Sequence, residues 1–160
     1  RTVLDIGGQD TKAIQVDGHG LVTSFQMNDR CAAGTGRFLE IVAERLEMPI
    51  EELGAAAGRA QRPAVISSMC VVFAETEIVG LLSAGERPED IVAGVQAAMA
   101  SRIASMAGLR LDEPVVFTGG VALISGMDRA LSEALGRPVR TAPDPRLTGA
   151  LGAALLAATG

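Results

Sequence analysis

The first 28 residues of the chain alternate between strand-forming segments and tight turns, and this opening limits the fold more than any later segment. Residues 2–6, 11–16 and 21–27 predict three strands from their run of apolar and β-branched residues. Residues 7–10 and 17–20 are rich in glycine and aspartate, which favour tight turns between paired strands. The chain is therefore predicted to open as a β-meander.

Helical spacing dominates the rest of the chain. Pro49 and Gly85 end two of the predicted helices, and Pro88 suits the first position of the next. The predicted helices cover residues 36–48, 50–60, 71–84, 88–108, 125–135 and 147–158, and the strands among them cover residues 64–67, 115–118 and 139–140. This order predicts an α/β domain in which helices pack on a mixed sheet.

Size and composition exclude several classes of function. A chain of 160 residues with 48% apolar residues predicts one domain with a sizeable core. The net charge of −5, with no basic run and no tryptophan or tyrosine, argues against a nucleic-acid partner. The longest uncharged stretches fall well short of the roughly 20 apolar residues of a membrane span. With only two cysteines and no secretory signal, a reducing compartment is predicted, and the cytoplasm is the default location.

The two cysteines are the main candidates for chemistry. Cys31 and Cys70 each stand a few residues ahead of a predicted helix. A helix N-terminus favours thiolate over thiol, which suits an anionic metal–sulfur cluster. Two thiolates are half of the four that a 4Fe–4S cluster usually takes, so a second copy of the chain would supply the others. Inert thiols and a disulfide between the two cysteines are the alternatives.

Three glycine-bearing turns are candidates for phosphate binding. Residues 5–10 combine an aspartate on the first strand with Gly7, Gly8, Gln9 and Asp10. Glycine lets backbone N–H groups approach phosphate oxygens, and a nearby carboxylate can hold Mg²⁺. The other two turns are 34–36, where Gly34, Thr35 and Gly36 begin a helix, and 118–122, which contains Gly119 and Gly120. Neither a Walker A lysine motif nor a complete G-x-G-x-x-G is present, and the turns alone are also compatible with a purely connecting role.

Taken in order, these segments resemble one family of proteins. The matching stretches are residues 5–12, 27–38, 66–75, 117–122 and 148–154. They resemble the BadF/BadG/BcrA/BcrD family, which comprises the ATPase activators of 2-hydroxyacyl-CoA dehydratases and the ATPase subunits of benzoyl-CoA reductases. The asparagine-to-phenylalanine stretch around Cys31 is the most specific of them, and the set is spread over the whole chain.

The resemblance implies an actin-like (ribonuclease H-like) ATPase fold. It implies a homodimer in which Cys31 and Cys70 of each subunit hold one bridging 4Fe–4S cluster. ATP hydrolysis would drive one-electron transfer to a partner dehydratase or reductase that acts on an acyl-CoA thioester, and a low-potential donor such as ferredoxin or flavodoxin would recharge the cluster. Family members begin with a lobe that carries the first phosphate loop, and nothing of that kind precedes Arg1. Residues 1–160 are therefore predicted to be the second lobe only.

The resemblance also implies roles for the turn residues. Asp5 would help to position Mg²⁺, and Gly7 and Gly8 would meet the terminal phosphates. Gln9 or Asp10 would orient the attacking water. The nucleotide's inner end would be approached by Gly119 and Gly120.

Two rival functions remain open on the sequence. One is a cluster-free sugar kinase of the same fold, and the other is a non-catalytic dimerisation module. Glu75 and Glu77 follow Cys70 on the same predicted helix and are interpreted as a solvated face or as partners of the helix dipole, with a catalytic role as the alternative. Arg102, in the long predicted helix, is interpreted as an exposed residue or as a contact with a dimer mate.

Overall fold

The computed structural model describes residues 1–68, 70–108 and 111–159. Its strands are β1 (Thr2–Ile6), β2 (Thr11–Val16), β3 (Val22–Asn28), β4 (Val115–Thr118) and β5 (Val139–Thr141). Its α-helices are α1 (Gly36–Arg45), α2 (Leu53–Ala57), α3 (Val71–Ser83), α4 (Pro88–Ala107), α5 (Met127–Leu135) and α6 (Thr148–Thr159). Short 3₁₀ turns cover Ala32–Gly34, Ile50–Glu52 and Gly120–Leu123. The predicted meander and the predicted α/β class are both confirmed.

The five strands form one mixed sheet in the order β3-β2-β1-β4-β5. β1 is antiparallel to β2 and parallel to β4, and β5 is parallel to β4. The carboxyl ends of β1 and β4 therefore lie side by side at one edge of the sheet, with Asp5 opposite Thr118. This register places the turn after β1 and the turn after β4 next to each other.

The core forms where alternating strand residues meet the helices. Leu4 and Ile6 of β1 are fully buried, as is Phe117 of β4, because their side chains point to the same face of the sheet. α4 is the longest helix, and Val95 and Met99 at helical spacing are fully buried as well. No helix in the described residues has the length and apolar character needed to cross a bilayer.

Two predictions from the sequence need correction. Residues 64–67 do not form a strand: Val65 is 82% exposed, and the N–H groups of Ser67 and Ser68 are taken by a side chain of α3. The first helix ends at Arg45 instead of continuing to residue 48, because Glu47 adopts a left-handed conformation with φ of 51°. The helix predicted at residues 50–60 is shorter, because its α-helical part covers only Leu53–Ala57. The ends of the other helices and strands differ from prediction by at most two residues.

Candidate functional site

Asp5 is the last polar residue of β1 and points toward the edge of the sheet where β1 and β4 end. Its Oδ1 accepts a hydrogen bond of 2.8 Å from the Thr118 hydroxyl, across the β1–β4 register. The Asp5 side chain keeps 30% of its surface exposed. A carboxylate held by a neighbouring strand, with part of its surface in solvent, is suited to bind a cation at this edge.

Lys12 links the two carboxylates of the first turn. Its Nζ lies 2.7 Å from Asp10 Oδ1 and 3.5 Å from Asp5 Oδ2. Partial burial lowers the pKa of Lys12, but the hydrogen bond and charge of Asp10, with those of Asp5, outweigh burial and leave the pKa raised. No role for Lys12 was predicted from the sequence, although a hairpin that closes at residues 6 and 11 puts residue 12 opposite residue 5.

The glycines of the first turn and of the turn after β4 bring two backbone segments close together. The Gly7 N–H donates to the Asp10 carbonyl over 2.9 Å, which closes the first turn. Gly119 has φ of 90°, and a Cβ at this position would lie 2.3 Å from the Ile6 carbonyl oxygen, so only glycine fits. The Gly119 N–H already donates to Pro145, whereas Gly8 and Gly120 are exposed. Gln9 is exposed in the same turn.

The predicted anion site at residues 34–36 needs a different interpretation. The N–H groups of Gly36 and Arg37 donate to the carbonyls of Gly7 and Gly8, both over 2.8 Å. Thr35 is fully buried, and its hydroxyl bonds to the carbonyl of Ala32. These helix-start donors are engaged within the chain, so they brace the first glycine turn instead of offering a free anion site.

Gly34 belongs to the same brace, because its carbonyl accepts a hydrogen bond from the buried Thr11 hydroxyl. A Cβ on Gly36 would lie 3.1 Å from both the Gly7 carbonyl oxygen and the Gly8 Cα. The start of α1 therefore packs directly on the candidate phosphate turn.

Cys31 stands immediately before the 3₁₀ turn that leads into α1, and its thiol is free and exposed. The Asn28 side chain fixes its backbone on both sides: Nδ2 donates to the Cys31 carbonyl over 2.7 Å, and Oδ1 accepts from the Cys31 N–H over 3.0 Å. This asparagine at the end of β3 was part of the matched segment, but its role as a clamp was not anticipated.

Cys70 stands directly before α3, and its thiol is also free and exposed. Its carbonyl accepts the Ala74 N–H over 2.9 Å, and α3 starts at the predicted Val71. The described residues contain no group of three or more histidine, cysteine, aspartate or glutamate side chains able to hold a metal within one chain. Two free thiols fit half of the ligand set that a 4Fe–4S cluster usually takes.

A groove of about 550 Å³ lies beside Cys31. Cys31, Asn28, Ser67 and Arg102 are among the residues that line it. Because Ser67 is three residues ahead of Cys70, both cysteine-bearing segments contribute to this groove.

Glu77 and Arg102 are not the free surface residues that the sequence suggested. Glu77 Oε1 accepts the Ser67 N–H and hydroxyl over 2.9 and 2.7 Å, and Oε2 accepts the Ser68 N–H over 2.9 Å. Partial burial raises the pKa of Glu77, but these hydrogen bonds outweigh burial and lower it to about 2. Arg102 donates to the Ser68 carbonyl, and Glu75 pairs with Arg45 over 2.5 Å.

The chain matches one family model over residues 1–157, that of the BadF/BadG/BcrA/BcrD ATPase family. It is 49% identical over 160 residues to the activator of lactoyl-CoA dehydratase of Anaerotignum propionicum, covering 98% of this chain and 61% of the relative. It is 47% identical to the (R)-2-hydroxyglutaryl-CoA dehydratase activating ATPase of Acidaminococcus fermentans, covering 98% and 60%. One of the benzoyl-CoA reductase subunits of Thauera aromatica is 37% identical, with coverage of 97% and 57%.

Two solved structures share the fold closely. The activator of the 2-hydroxyisocaproyl-CoA dehydratase from Clostridium difficile with bound ADPNP gives a TM-score of 0.95 at 45% identity, over 98% of this chain and 59% of that one. Component A of the Acidaminococcus fermentans (R)-2-hydroxyglutaryl-CoA dehydratase gives 0.93 at 47% identity, over 97% and 60%. The predicted actin-like ATPase fold is thereby confirmed. The chain spans about three fifths of the length of these relatives.

Proposed function

Because the chain belongs to the BadF/BadG/BcrA/BcrD ATPase family, we propose that the whole protein is an ATP-driven one-electron donor. Its partner would be an enzyme of the 2-hydroxyacyl-CoA dehydratase or benzoyl-CoA reductase type. One observation carries the proposal: the only two thiols of the chain are free and exposed, and they belong to two segments that line one groove. Relatives named as activators of lactoyl-CoA and (R)-2-hydroxyglutaryl-CoA dehydratases support it.

In this proposal ATP binds at the edge of the sheet where β1 and β4 end. Gly7 and Gly8 lie against the terminal phosphates of ATP. The exposed Gly120, together with the half-buried Gly119, approaches the sugar and α-phosphate end of the nucleotide. Asp5 helps to hold Mg²⁺, since it is a partly exposed carboxylate fixed by Thr118. The ADPNP bound in the 2-hydroxyisocaproyl-CoA dehydratase activator supports nucleotide binding by this fold.

Gln9 and Asp10 are the candidates to orient the attacking water. Gln9 is exposed in the first turn, whereas Asp10 is paired with Lys12. Lys12 neutralises Asp5 and Asp10 in this structure. Binding of Mg²⁺ to Asp5 would weaken the attraction between Lys12 and that carboxylate, which leaves the ammonium available to the phosphate charge.

Cys31 and Cys70 hold a 4Fe–4S cluster in this proposal, together with the same two residues of a second copy. Such a cluster, when bound, supplies one electron at low potential. The chain's contribution is to present two free, exposed thiols, Cys31 before the 3₁₀ turn that leads into α1 and Cys70 directly before α3. A homodimer therefore follows from the number of sulfur donors in each chain.

The gating of electron transfer by ATP needs a physical link between the two sites. A nucleotide shifts a conformational equilibrium only by its difference in affinity for the two states. The brace between the Gly7-Gly8 turn and the start of α1 provides such a link, because a rearranged turn must move or break the hydrogen bonds of Gly36 and Arg37. Those bonds lie within six residues of Cys31.

The remaining elements of the proposal concern the whole protein. Residues 1–160 form the second lobe of an actin-like ATPase, and the first phosphate loop belongs to the other lobe. The protein acts in the cytoplasm, and ferredoxin or flavodoxin recharges the cluster.

The first test is an anaerobic purification of the full-length protein with iron and acid-labile sulfide assayed. We expect about four irons per two chains, and loss of most of this iron in both Cys31→Ser and Cys70→Ser. A colourless wild-type protein that hydrolyses ATP only with a sugar present would instead identify a kinase. Iron without ATP turnover would favour the dimerisation module.

The second test separates the nucleotide site from the cysteines. Asp5→Asn should lower ATP turnover roughly a hundredfold, the effect expected from a misplaced reacting group, while its iron content stays at the wild-type value. Asp17→Asn makes the same chemical change in the β2–β3 turn, where one carboxylate oxygen of Asp17 accepts the N–H groups of His19 and Leu21. It should leave both measurements unchanged. Wild-type turnover in Asp5→Asn would contradict the assigned nucleotide site.

A further inference from the structure

The segment that leads to Cys70 has no regular secondary structure through residues 61–68, so its backbone must be held by other means. Its beginning is fixed to α4 by one residue. Asp90 Oδ1 accepts the N–H groups of Gln61 and Arg62 over 2.7 and 2.8 Å, and the Asp90 carbonyl accepts the Ala64 N–H over 2.8 Å.

The end of the segment is held by Glu77 of α3. Its two carboxylate oxygens divide the contacts, with Oε1 on the N–H and hydroxyl of Ser67 and Oε2 on the N–H of Ser68. Hydrogen bonds to a charged acceptor are stronger than neutral ones. Since Glu77 lies on the helix that Cys70 begins, it ties the approach to Cys70 onto the same rigid element.

Arg102 of α4 holds the same segment from the opposite side. It donates to the Ser68 carbonyl, and its guanidinium lies 5.9 Å from the centre of the Phe38 ring of α1. Its Nε and Nη1 are buried and make no hydrogen bond to the residues that the structure describes. No carboxylate pairs with this guanidinium among those residues, so its positive charge stays uncompensated beside a groove that Cys31 also lines.

We infer that Glu77 and Arg102 are positioning residues that hold Cys70 in place as a cluster ligand, an inference that rests on the proposed function. Glu77 fixes the two peptide N–H groups that lead to Cys70, and Arg102 fixes the carbonyl between them and the cysteine. The uncompensated charge of Arg102 also favours an anionic ligand set beside the groove. A ligand on a loop fixed from both sides loses less conformational entropy when it binds metal.

Glu77→Gln is the sharpest variant because it changes almost no volume. A glutamine keeps one acceptor oxygen, but its NH₂ group then faces either the Ser67 or the Ser68 N–H, and two donors repel. Glu75→Gln is the matched control: it removes the same charge from the same helix, and its remaining oxygen still accepts from Arg45, whose Nε and Nη2 both bond to Oε1. Ser67→Ala is a milder second variant, because it removes only the hydroxyl contact with Glu77.

The experiment measures the full-length, anaerobically purified protein in two ways. Amide exchange of the peptide that contains Ser67 and Ser68 should accelerate about tenfold in Glu77→Gln. Iron release to a chelator should accelerate by a similar factor, and Ser67→Ala should change both rates in the same direction by less. Glu75→Gln should match the wild type in both. Faster exchange with unchanged iron release would overturn the inference, as would wild-type exchange in Glu77→Gln.

Failure of the proposed function and failure of this inference give different results. If the wild-type protein binds no iron, the proposed function fails, and the ratio of alkylation rates of Cys70 and Cys31 then decides the inference. A ratio raised about tenfold in Glu77→Gln supports a role of Glu77 in positioning Cys70, and an unchanged ratio overturns it. If Glu77→Gln does not fold, Ser67→Ala decides between the same two outcomes.

Discussion

Cys31 precedes the 3₁₀ turn that leads into α1, and Cys70 directly precedes α3, and the chain holds the two residues in different ways. The Cys31 segment is attached to the sheet: Asn28 of β3 clamps its backbone, and Thr11 of β2 binds the Gly34 carbonyl. The same segment continues into the start of α1, where Gly36 bonds to the candidate phosphate turn. Among the residues that the structure describes, the Cys70 segment makes no such bond to the sheet, and it is held by Glu77 of α3 and Arg102 of α4.

This difference predicts separate tasks for the two cysteines. A change at the phosphate turn reaches the Cys31 segment through backbone hydrogen bonds, whereas the Cys70 segment is fixed to two helices of the core. We therefore expect nucleotide binding to move the Cys31 segment (the Cys31 side) and to leave the Cys70 segment (the Cys70 side) in place. Coupling of this kind requires that the Cys31 segment has two discrete arrangements. Each variant described next perturbs one of the two segments.

The largest effect is expected from Gly94→Ala, which breaks the Cys70 side. A Cβ on Gly94 of α4 would lie 2.0 Å from the carbonyl oxygen of Ala64 and 2.9 Å from its carbonyl carbon. The segment before Cys70 must then move, at a cost of about 3 kcal/mol that exceeds the helix-propensity gain of about 1 kcal/mol. Denaturant unfolding measures the loss, and alkylation of Cys70 should accelerate more than that of Cys31.

Gly80→Ala is the control for this prediction. It makes the same change in α3, where an added Cβ meets no atom within 4 Å. The free energy of unfolding should rise by about 0.5–1 kcal/mol. Equal stability losses in the two variants would show that the contact between α4 and the Cys70 segment does not matter.

Gly36→Ala should have the next largest effect, and it breaks the Cys31 side. Its Cβ would lie 3.1 Å from backbone atoms of Gly7 and Gly8 and 3.2 Å from a methyl group of Val121. We expect a loss of about 2 kcal/mol, together with weaker ATP binding, because the phosphate turn must give way. Gly149→Ala, in the first turn of α6 and without atoms near the added Cβ, is the control. Unchanged nucleotide affinity in Gly36→Ala would show that the contact between the start of α1 and the Gly7-Gly8 turn does not influence nucleotide binding.

Thr11→Val tests the Cys31 side more gently. The change keeps the shape of the side chain but leaves the Gly34 carbonyl without its buried hydroxyl donor, which costs about 1 kcal/mol. Alkylation of Cys31 should accelerate while that of Cys70 stays constant. Thr23→Val removes an exposed hydroxyl bond of 3.3 Å to Gln15 and should change stability by less than about 0.5 kcal/mol. Equal acceleration at both cysteines would mean that the two segments are not held independently.

The sequence predicted the elements but not these attachments. β1 and β2 are confirmed with their predicted bounds, and α3 and α4 to within one residue, because periodicity and the flanking glycine and proline residues determine them locally. The strand predicted at residues 64–67 is wrong because Glu77, about ten residues further on, takes the N–H groups that a neighbouring strand would need. The roles of Lys12, Glu77 and Arg102 depend on contacts between elements, which a single sequence does not display.

The last predicted effect, about as small as that of Thr11→Val, uses acid to release the segment before Cys70. The pKa of Glu77 is about 2 in the folded protein, and an unfolded glutamate has a pKa of about 4.3. Its contribution to stability is thus fully present above about pH 4.3 and is lost as the pH falls through about 2. Because Glu77 is only partly buried, solvent screening reduces this contribution to about 1 kcal/mol.

Unfolding by denaturant at pH 5 and at pH 2.5 measures this contribution as the difference between wild type and Glu77→Gln. The difference should shrink at the lower pH. Asp90, which binds Arg62 and Gln61 at the other end of the segment, also has a lowered pKa, so the wild-type curve alone does not isolate Glu77. Subtracting the Glu77→Gln curve removes the contribution of Asp90, since both proteins contain it. A difference that stays constant from pH 5 to 2.5 would mean that the charge of Glu77 does not hold the approach to Cys70, and the contrast between the two cysteine segments would then rest on Arg102 and Asp90 alone.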